Sequence, residues 1–473
     1  MRALARDAVD AALHAGADYA DARAVLRRSQ RVATKNGNVD SVSDSETAGI
    51  GVRVLVGGCW GFACDPRLSD EGAAEAARRA ADFARASAAR TETRVSLGPA
   101  EPAAGEYRTT VERDPVAVPL EEKIELCLRA EAGLRAESVK VASAVVRAQR
   151  EERALVTSEG VDVLQEVVEC GGGIDALAVD EGVVQIRSYP SAHGGSSAQG
   201  GWEYVEGLDL PGNAPRVAEE AAALLRADPC PALETTLVID HEQMALQVHE
   251  SVGHPTELDR VQGTEASYAG TSFLHPDDVG RLRYGSERMN VSADPTTPGG
   301  LGTFDWDDEG IPAVRTPVVE AGTLTSFLES RETGRGGSMR ADGWSRMPLV
   351  RMTNLHLEPG SGSLDDLLAE VDDGIYLATN KSWSIDDKRL NFQFGTQIAW
   401  EIKRGRLGRM LRDATYTGIT PEFWGSLDAV AGREEWRMVG LTNCGKGQPG
   451  QHAHVSHGAA PARFRRVTVG PSG

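Results

Sequence analysis

Two histidines and a glutamate lie within the six-residue segment 249–254, His-Glu-Ser-Val-Gly-His. Neutral imidazole is a preferred ligand of zinc, and a neighbouring glutamate can take the proton from a metal-activated water molecule. The segment therefore predicts a hydrolytic metal centre, with His249 and His254 as ligands and Glu250 as the general base.

The spacing of the two histidines differs from the His-Glu-x-x-His of familiar zinc peptidases, whose ligands lie four residues apart on one helical face. At ~100° per residue, two residues that are five apart stand about 140° from eclipsed on a regular helix. Gly253 precedes the second histidine and Pro255 follows it, and both residues weaken a regular helix. We therefore expect the helix to bulge or end here, which swings His254 back toward His249.

Catalytic zinc normally takes three protein ligands and a water molecule, so a third ligand must come from elsewhere in the chain. Cys444 lies in a predicted tight loop at 441–449, which could present a thiolate whose pKa Lys446 would lower. The alternative is a reduced loop cysteine without a metal. Glu257 and Asp259 could also ligate the metal, orient a ligand histidine, or be solvated turn residues.

Three further histidines near the end of the sequence could form a second metal site, line the cleft or simply be exposed: His452, His454 and His457. A phosphate-binding loop at Gly440-x-x-x-x-Gly445-Lys446 is rejected, because Gly447 stands where the motif needs a serine or threonine for Mg²⁺.

The composition indicates a globular protein of two domains, since 473 residues exceed one ordinary core and 41% of them are hydrophobic. The formal net charge of −20 and the absence of a Lys/Arg-rich run argue against a nucleic-acid partner. We see no signal-peptide pattern at the start and no apolar stretch of membrane-spanning length, so no membrane partner is expected. The six cysteines form no Cys-x-x-Cys pair, which favours a reducing compartment and predicts a cytoplasmic location.

The predicted fold class is α+β, with a domain boundary at the Pro/Cys-containing segment 228–231. Residues 1–230 are predicted to form an α+β domain with an antiparallel sheet covered on one face. Its predicted helices cover 3–15, 70–88, 119–136 and 214–227, and its predicted strands include 24–34, 50–56, 60–62 and alternating segments within 139–187. Asn36-Gly37 is a favoured hairpin turn.

Residues 231–473 are predicted to form a β-rich catalytic domain that carries the histidine motif on a helix. Asp240 is expected to begin that helix, with Gln243 completing a capping box. The other predicted elements are a short helix at 364–371 and strands around 237–239, 311–328, 349–357, 374–379, 391–403 and 463–469.

Taken together, the two motifs resemble those of the TldD/PmbA family of metallopeptidases. The resemblance rests on His249-Glu250-x-x-Gly253-His254, on Glu257-x-Asp259 and on the distant Asn443-Cys444-Gly445-Lys446. It covers the whole chain, including a Gly-Val-Arg-Val strand near residue 51. The match is to the TldD branch, since the PmbA (TldE) branch characteristically lacks the metal motif.

The resemblance implies that His249, His254 and Cys444 hold Zn²⁺ and that Glu250 is the catalytic carboxylate. It implies peptide substrates that are small or unfolded, including leader peptides of ribosomally made precursors, and either a homodimer or a heterodimer with a PmbA-like paralogue. Pro255, where a small residue such as glycine is expected, and the Gly-Lys-Gly-Gln-Pro-Gly loop after Cys444 depart from the family pattern. Both departures affect the shape of the cleft rather than the ligands.

Three other functions compete with a zinc peptidase. A non-catalytic peptide-binding or scaffold subunit would not need the His-His-Cys trio. The family's older label, a modulator of DNA gyrase, conflicts with the acidic charge. A small-molecule amidase or deaminase would be expected to carry His-x-Glu and Pro-Cys-x-x-Cys, which this sequence lacks.

Overall fold

The computed structural model describes residues 1–192, 194–268, 270–447 and 449–471, and its mixed α+β architecture confirms the predicted fold class. In the first half, the strands are β1 Tyr19–Lys35, β2 Asn38–Val56, β3 Cys59–Asp65, β4 Ala103–Arg108, β5 Val139–Thr157, β6 Val161–Asp180, β7 Val183–Tyr189 and β8 Ser196–Gln199. Its helices are α1 Arg2–His14, α2 Asp70–Ala88, α3 Leu120–Gly133, α4 Trp202–Gly207 and α5 Leu210–Leu224.

These strands form one sheet in the order β3-β2-β1-β5-β6-β4, with β7 and β8 also paired to β6. The predicted hairpin between β1 and β2 is confirmed. Asn36 and Gly37 have φ of 51° and 83°, the positive values that a two-residue hairpin turn requires.

The two faces of this first sheet differ sharply in chemistry. One face packs against the Ala-rich helices α1 and α2 at one end and against α3, α4 and α5 at the other. The opposite face was expected to meet solvent, but there the prediction was wrong. Alternate residues of β1, β2 and β5 on that face are buried and charged, among them Arg23, Arg53 and Glu151. The second half of the chain covers this charged face.

In the second half, the strands are β9 Asp228–Pro229, β10 Leu233–Ile239, β11 Val291–Ala293, β12 Thr316–Glu320, β13 Thr323–Leu324, β14 Met339–Arg340, β15 Leu349–Val350, β16 Asn354–Leu357, β17 Asp373–Ile385, β18 Asn391–Lys403, β19 Arg406–Arg412, β20 Ala414–Ile419, β21 Leu427–Val430, β22 Arg437–Lys446, β23 Gln451–Ala459 and β24 Ala462–Pro471. Its α-helices are α6 His241–Val248, α7 Leu258–Val261, α8 Leu364–Ala369 and α9 Thr420–Gly425. No helix in the described residues is long and apolar enough to cross a membrane.

Two sheets of this half enclose the motif helix α6. The larger sheet has the order β17-β10-β24-β20-β18-β19-β9, with β21 paired to β24, and the smaller has the order β13-β12-β11-β16-β23-β22. Helix α6 packs against β17 of the larger sheet and against β16, β22 and β23 of the smaller one. Because α6 lies between two sheets, every one of its residues after Glu242 is buried. The division of the chain at residues 230 and 231 stays a prediction.

Two local predictions were wrong in detail. Helix α5 begins at Leu210, ahead of the predicted 214, because the Asp209 carboxylate accepts a hydrogen bond from the Gly212 N–H. Asp240 does precede α6, but it forms no capping box. Its Oδ1 instead contacts His241 Nδ1 at 2.8 Å and accepts from the Tyr376 hydroxyl at 3.1 Å.

Buried ion pairs join the charged face of the first sheet to the second half. Arg53 Nε donates to Asp21 Oδ2 at 2.8 Å, and its Nη1 lies 3.3 Å from Glu309 Oε1. Arg153 Nη1 lies 2.8 Å from Asp308 Oδ2. These guanidiniums are the counter-ions of carboxylates that have no access to water.

We expect Arg53→Met to lower the free energy of unfolding by about 3–5 kcal/mol, because it leaves two buried carboxylates without a counter-ion. Denaturant unfolding would measure the change. Arg78→Met is the matched control, since Arg78 makes only exposed contacts on α2, and its unfolding should stay close to that of the unaltered protein. Equal unfolding curves for the two variants would contradict the prediction.

Candidate metal centre

The motif helix changes its geometry at the first histidine. Residues His249–Gly253 form one π-helical turn, and the His254 N–H donates to the His249 carbonyl five residues back. Such a turn closes i to i+5, so residues five apart come onto one face. The predicted bulge is therefore confirmed, and the two imidazole rings lie 4.8 Å apart between centroids.

Side-chain hydroxyl groups donate hydrogen bonds to the backbone carbonyls around the π turn. Ser251 Oγ donates to the Gln247 carbonyl at 2.6 Å, and Thr256 Oγ1 lies 2.8 Å from the Val252 carbonyl. The Tyr284 hydroxyl donates to the Ser251 carbonyl at 2.5 Å. Buried backbone acceptors without a donor are costly, so these three hydroxyls stabilise the turn.

Cys444 reaches the histidines from a strand and not from the predicted loop. It lies in β22 opposite Ala453 of β23, just after an irregularity in the strand register between Leu441 and Cys444. Gln448 of the predicted loop lies outside the described residues. Gly440–Lys446 lies in β22, and the next described element is the strand β23, which differs from the loop and helix of a phosphate-binding loop.

His249, His254 and Cys444 offer ligand atoms that all lie within 4.8 Å of one another, and all three residues are buried. The distance from Cys444 Sγ to His254 Nε2 is 3.8 Å. A tetrahedral zinc ion separates a nitrogen ligand from a sulfur ligand by roughly 3.5 Å. Two imidazoles and a thiolate are also ligands that zinc prefers, so this trio fits the metal that the motif predicts.

The hydrogen bonds of His457 determine which ring nitrogen of His249 carries the hydrogen. His457 Nδ1 lies 3.1 Å from the Leu355 carbonyl, which can only accept, so this nitrogen carries the hydrogen. Burial holds the pKa of His457 well below its usual value, and the neutral ring must then accept at Nε2. The donor to it is His249 Nδ1, at 2.7 Å. His249 is therefore left with a free lone pair on Nε2 for a metal ion.

Glu257 fixes the same tautomer in His254, with the hydrogen on Nδ1. His254 Nδ1 lies 3.0 Å from Glu257 Oε2, which leaves Nε2 facing Cys444. Although burial alone would raise the pKa of Glu257, Lys446 and His254 hold it well below its usual value, so the carboxylate accepts. Of the three roles considered for Glu257, the structure thus supports orientation of a ligand histidine.

The protonation states of the trio suit metal binding. Burial lowers the pKa of both His249 and His254, which keeps their rings neutral. Burial alone would raise the pKa of Cys444, but the Arg351 charge and His254 outweigh it and the net shift is downward. The prediction named Lys446 as the cause, whereas the Lys446 ammonium binds Asp259 Oδ1 and the Val350 carbonyl, each at 2.7 Å.

Glu250 forms an ion pair with Arg389, a residue that the sequence did not identify. Its Oε2 accepts from Arg389 Nη1 at 2.6 Å, and only 7% of the Glu250 side chain is exposed. Arg389 lies in the turn between β17 and β18, some 140 positions from the motif. No spacing or composition signal links it to Glu250, so only the folded chain could have identified it.

The other histidines near the end of the sequence do not form a second site. His457 supports His249, whereas His454 Nδ1 lies 2.5 Å from Glu169 Oε2 of the first sheet. His452 is exposed. Within the described part of the chain, the His249–His254–Cys444 trio is the one metal-type cluster.

We expect Cys444→Ser to weaken metal binding by more than the roughly 100-fold that loss of an outer partner costs, because a direct ligand is lost. Elemental analysis of the purified variant would measure the bound metal. Cys64→Ser is the control, since Cys64 lies in β3, outside the trio. One equivalent of bound metal in Cys444→Ser would contradict the assignment of Cys444 as a ligand.

His457→Phe should keep the ring shape but remove the acceptor that orients His249. Outer-shell partners of ligand histidines contribute about 10–100-fold to metal affinity, and we expect a loss in that range. Competition with a chelator would measure it. His452→Phe, at an exposed position of the same strand, should bind metal as the unaltered protein does. Equal affinity of both variants would show that the His457 hydrogen bond is dispensable.

Comparison with known proteins identifies the family of this chain. Family models of the PmbA/TldA metallopeptidases match residues 20–87 as domain 1, 113–227 as the central domain and 233–471 as the C-terminal domain. A metalloprotease of Archaeoglobus fulgidus is 31% identical over 462 residues, covering 95% of this chain and 99% of the relative. A zinc metalloprotease TldD homolog of Saccharolobus solfataricus is 22% identical over 244 residues, covering 50% and 52% of the two chains.

The fold is shared more widely than the sequence. The crystal structure of TldE from Thermococcus kodakarensis superimposes with a TM-score of 0.72 at 17% identity, covering 99% of this chain and 100% of that one. At this identity the likeness concerns the fold alone. With the family models spanning nearly the whole chain, the protein belongs to the PmbA/TldA metallopeptidase family, as its two motifs predicted.

Proposed function

We propose that this metalloprotease is a zinc-dependent peptidase that hydrolyses peptide bonds in small or unfolded peptides, including leader segments of precursors. The observation that carries the proposal is the buried His249–His254–Cys444 trio with the Glu250 carboxylate beside it in sequence. A scaffold subunit has no need of such an arrangement.

Zinc is the metal we propose for this chain. His249 and His254 would hold it through Nε2, and Cys444 through its sulfur, which leaves one tetrahedral position open. A zinc ion bound there supplies Lewis acidity, which polarises the scissile carbonyl and lowers the pKa of a water molecule. The relative from Saccharolobus solfataricus, named a zinc metalloprotease, supports the choice of metal.

Glu250 is the proposed general base. It follows a proposed ligand directly in sequence, so the π turn that orients the histidines also fixes the position of this carboxylate. Glu250 would accept the proton of the attacking water and then donate it to the leaving amine nitrogen. Its contact with Arg389 restricts the carboxylate to one orientation before substrate arrives.

The substrate class and assembly rest on family membership. Small or unfolded peptides are proposed because an extended chain can reach a deep site that a folded protein cannot enter. The homodimer or heterodimer with a PmbA-like paralogue stays a prediction, as does the cytoplasmic location.

Glu250→Gln tests the proposed function. The variant should keep its metal, since no ligand is altered, and lose about 10²–10⁴-fold in turnover, since an amide cannot act as a base. Digestion of a peptide library, read by mass spectrometry beside elemental analysis, would measure both properties. The control is Glu287→Gln, at a side chain that is 85% exposed. A metal-replete Glu250→Gln enzyme with normal turnover would refute the role of Glu250.

A further inference from the structure

Peptide hydrolysis places negative charge on the carbonyl oxygen, and a hydrogen-bond donor can stabilise that charge together with a metal ion. Four residues of the second half that carry side-chain donors are engaged elsewhere. The Tyr416 hydroxyl lies between the Gln243 and Gln247 side chains in the core. Lys446 holds Asp259, as described above, and His457 and His454 are held by His249 and Glu169. These contacts leave the role of hydrogen-bond donor to another residue.

Arg389 has the free donor that these residues lack. One guanidinium nitrogen, Nη1, binds Glu250, whereas Nε is buried and has no hydrogen-bond partner among the described residues. A buried N–H without an acceptor is costly in a native structure, and its presence beside a catalytic carboxylate calls for an explanation.

The backbone of Arg389 is held in a conformation that arginine seldom adopts. Its φ is 61°, in the left-handed region, where a non-glycine residue is strained. The surrounding turn is fixed on both sides. Thr420 Oγ1 donates to the Arg389 carbonyl at 2.8 Å, and the Phe273 N–H donates to the Lys388 carbonyl at 2.9 Å. Eight other non-glycine residues of the described chain also have positive φ, so these bonds show that the Arg389 turn is fixed and do not by themselves mark a functional position.

We propose that Arg389 is a catalytic residue that donates to the scissile carbonyl oxygen while Nη1 keeps Glu250 in place. The inference rests on the proposed peptidase function and adds its oxyanion-stabilising group. As the water oxygen bonds to the carbonyl carbon, the π electron pair moves onto the carbonyl oxygen, whose charge the guanidinium neutralises. Glu250 accepts the water proton and passes it to the amine nitrogen as the C–N bond breaks, so the carbonyl forms again.

Two variants of Arg389 and one control separate this role from a structural one. Arg389→Met removes the donors and the charge. Arg389→Gly also removes them, but glycine adopts positive φ freely, so the turn keeps its backbone if methionine disturbs it. Lys388→Met, in the same turn, removes one exposed positive charge and is the matched control.

The experiment compares turnover with the affinity for a phosphinic peptide, whose tetrahedral anionic phosphorus group resembles the reacting carbonyl. We use the sequence of the best-cleaved library peptide and measure inhibitor binding by calorimetry on zinc-loaded protein. Both Arg389 variants should keep their zinc and lose about 10²–10³-fold in kcat, with KM little changed. Affinity for the phosphinic peptide should fall by about the same factor as kcat/KM. Added methylguanidinium should restore part of the turnover of Arg389→Gly, and Lys388→Met should match the unaltered enzyme.

Unchanged affinity for the phosphinic peptide in a variant with lowered kcat would contradict a contact between Arg389 and the substrate. Arg389 would then act only by positioning Glu250. Normal kcat in both variants would also contradict that contact. These results are distinguishable from failure of the proposed function. That failure appears as absent cleavage in the unaltered zinc-loaded enzyme, or as cleavage that Glu250→Gln does not reduce, whereas here cleavage depends on Glu250 and not on Arg389.

Discussion

The architecture of the site depends on one backbone hydrogen bond, from the His254 N–H to the His249 carbonyl. In a regular helix, residues with this spacing point to different sides. The longer turn brings them onto one face. It is stable because neighbouring hydroxyls donate to its carbonyls and because the two sheets around α6 bury it. The departure from helical regularity is thus required to bring His249 and His254 onto one face, in agreement with the frequent placement of π turns at functional sites.

The second requirement is that each imidazole presents the same nitrogen inward. Two unrelated acceptors achieve this, a neutral histidine behind His249 and an ionised glutamate behind His254. The electrostatic surroundings differ accordingly, because Lys446 balances the charge of Glu257 whereas His457 carries none. Arg351 adds a buried positive charge near Cys444, which favours the thiolate form of that side chain.

The sequence was sufficient for the local parts of this site and insufficient for the distant ones. The bulge followed from Gly253 and Pro255, since both act on the backbone within the motif. The metal trio followed from residue types and from resemblance, but the strand that carries Cys444 did not, because its irregular pairing with β23 is set by tertiary contacts. Arg389 was missed for a related reason, as a turn of two long strands brings it to Glu250. The burial of the charged sheet face could not be predicted either, since alternation of polar and apolar residues is the same whether the polar face meets water or a second domain.

The downward shift of the Cys444 pKa has a consequence for the protein's chemistry when no metal is bound. Burial raises the pKa of Cys127, Cys170 and Cys230 to about 12, about 12 and about 11, so these thiols are protonated and inert. Cys444 shifts the other way, and thiolate character is what makes a cysteine sensitive to oxidation. A metal ion bound at the trio would therefore occupy the sulfur lone pair that an oxidant such as peroxide attacks, and would shield Cys444 from oxidation.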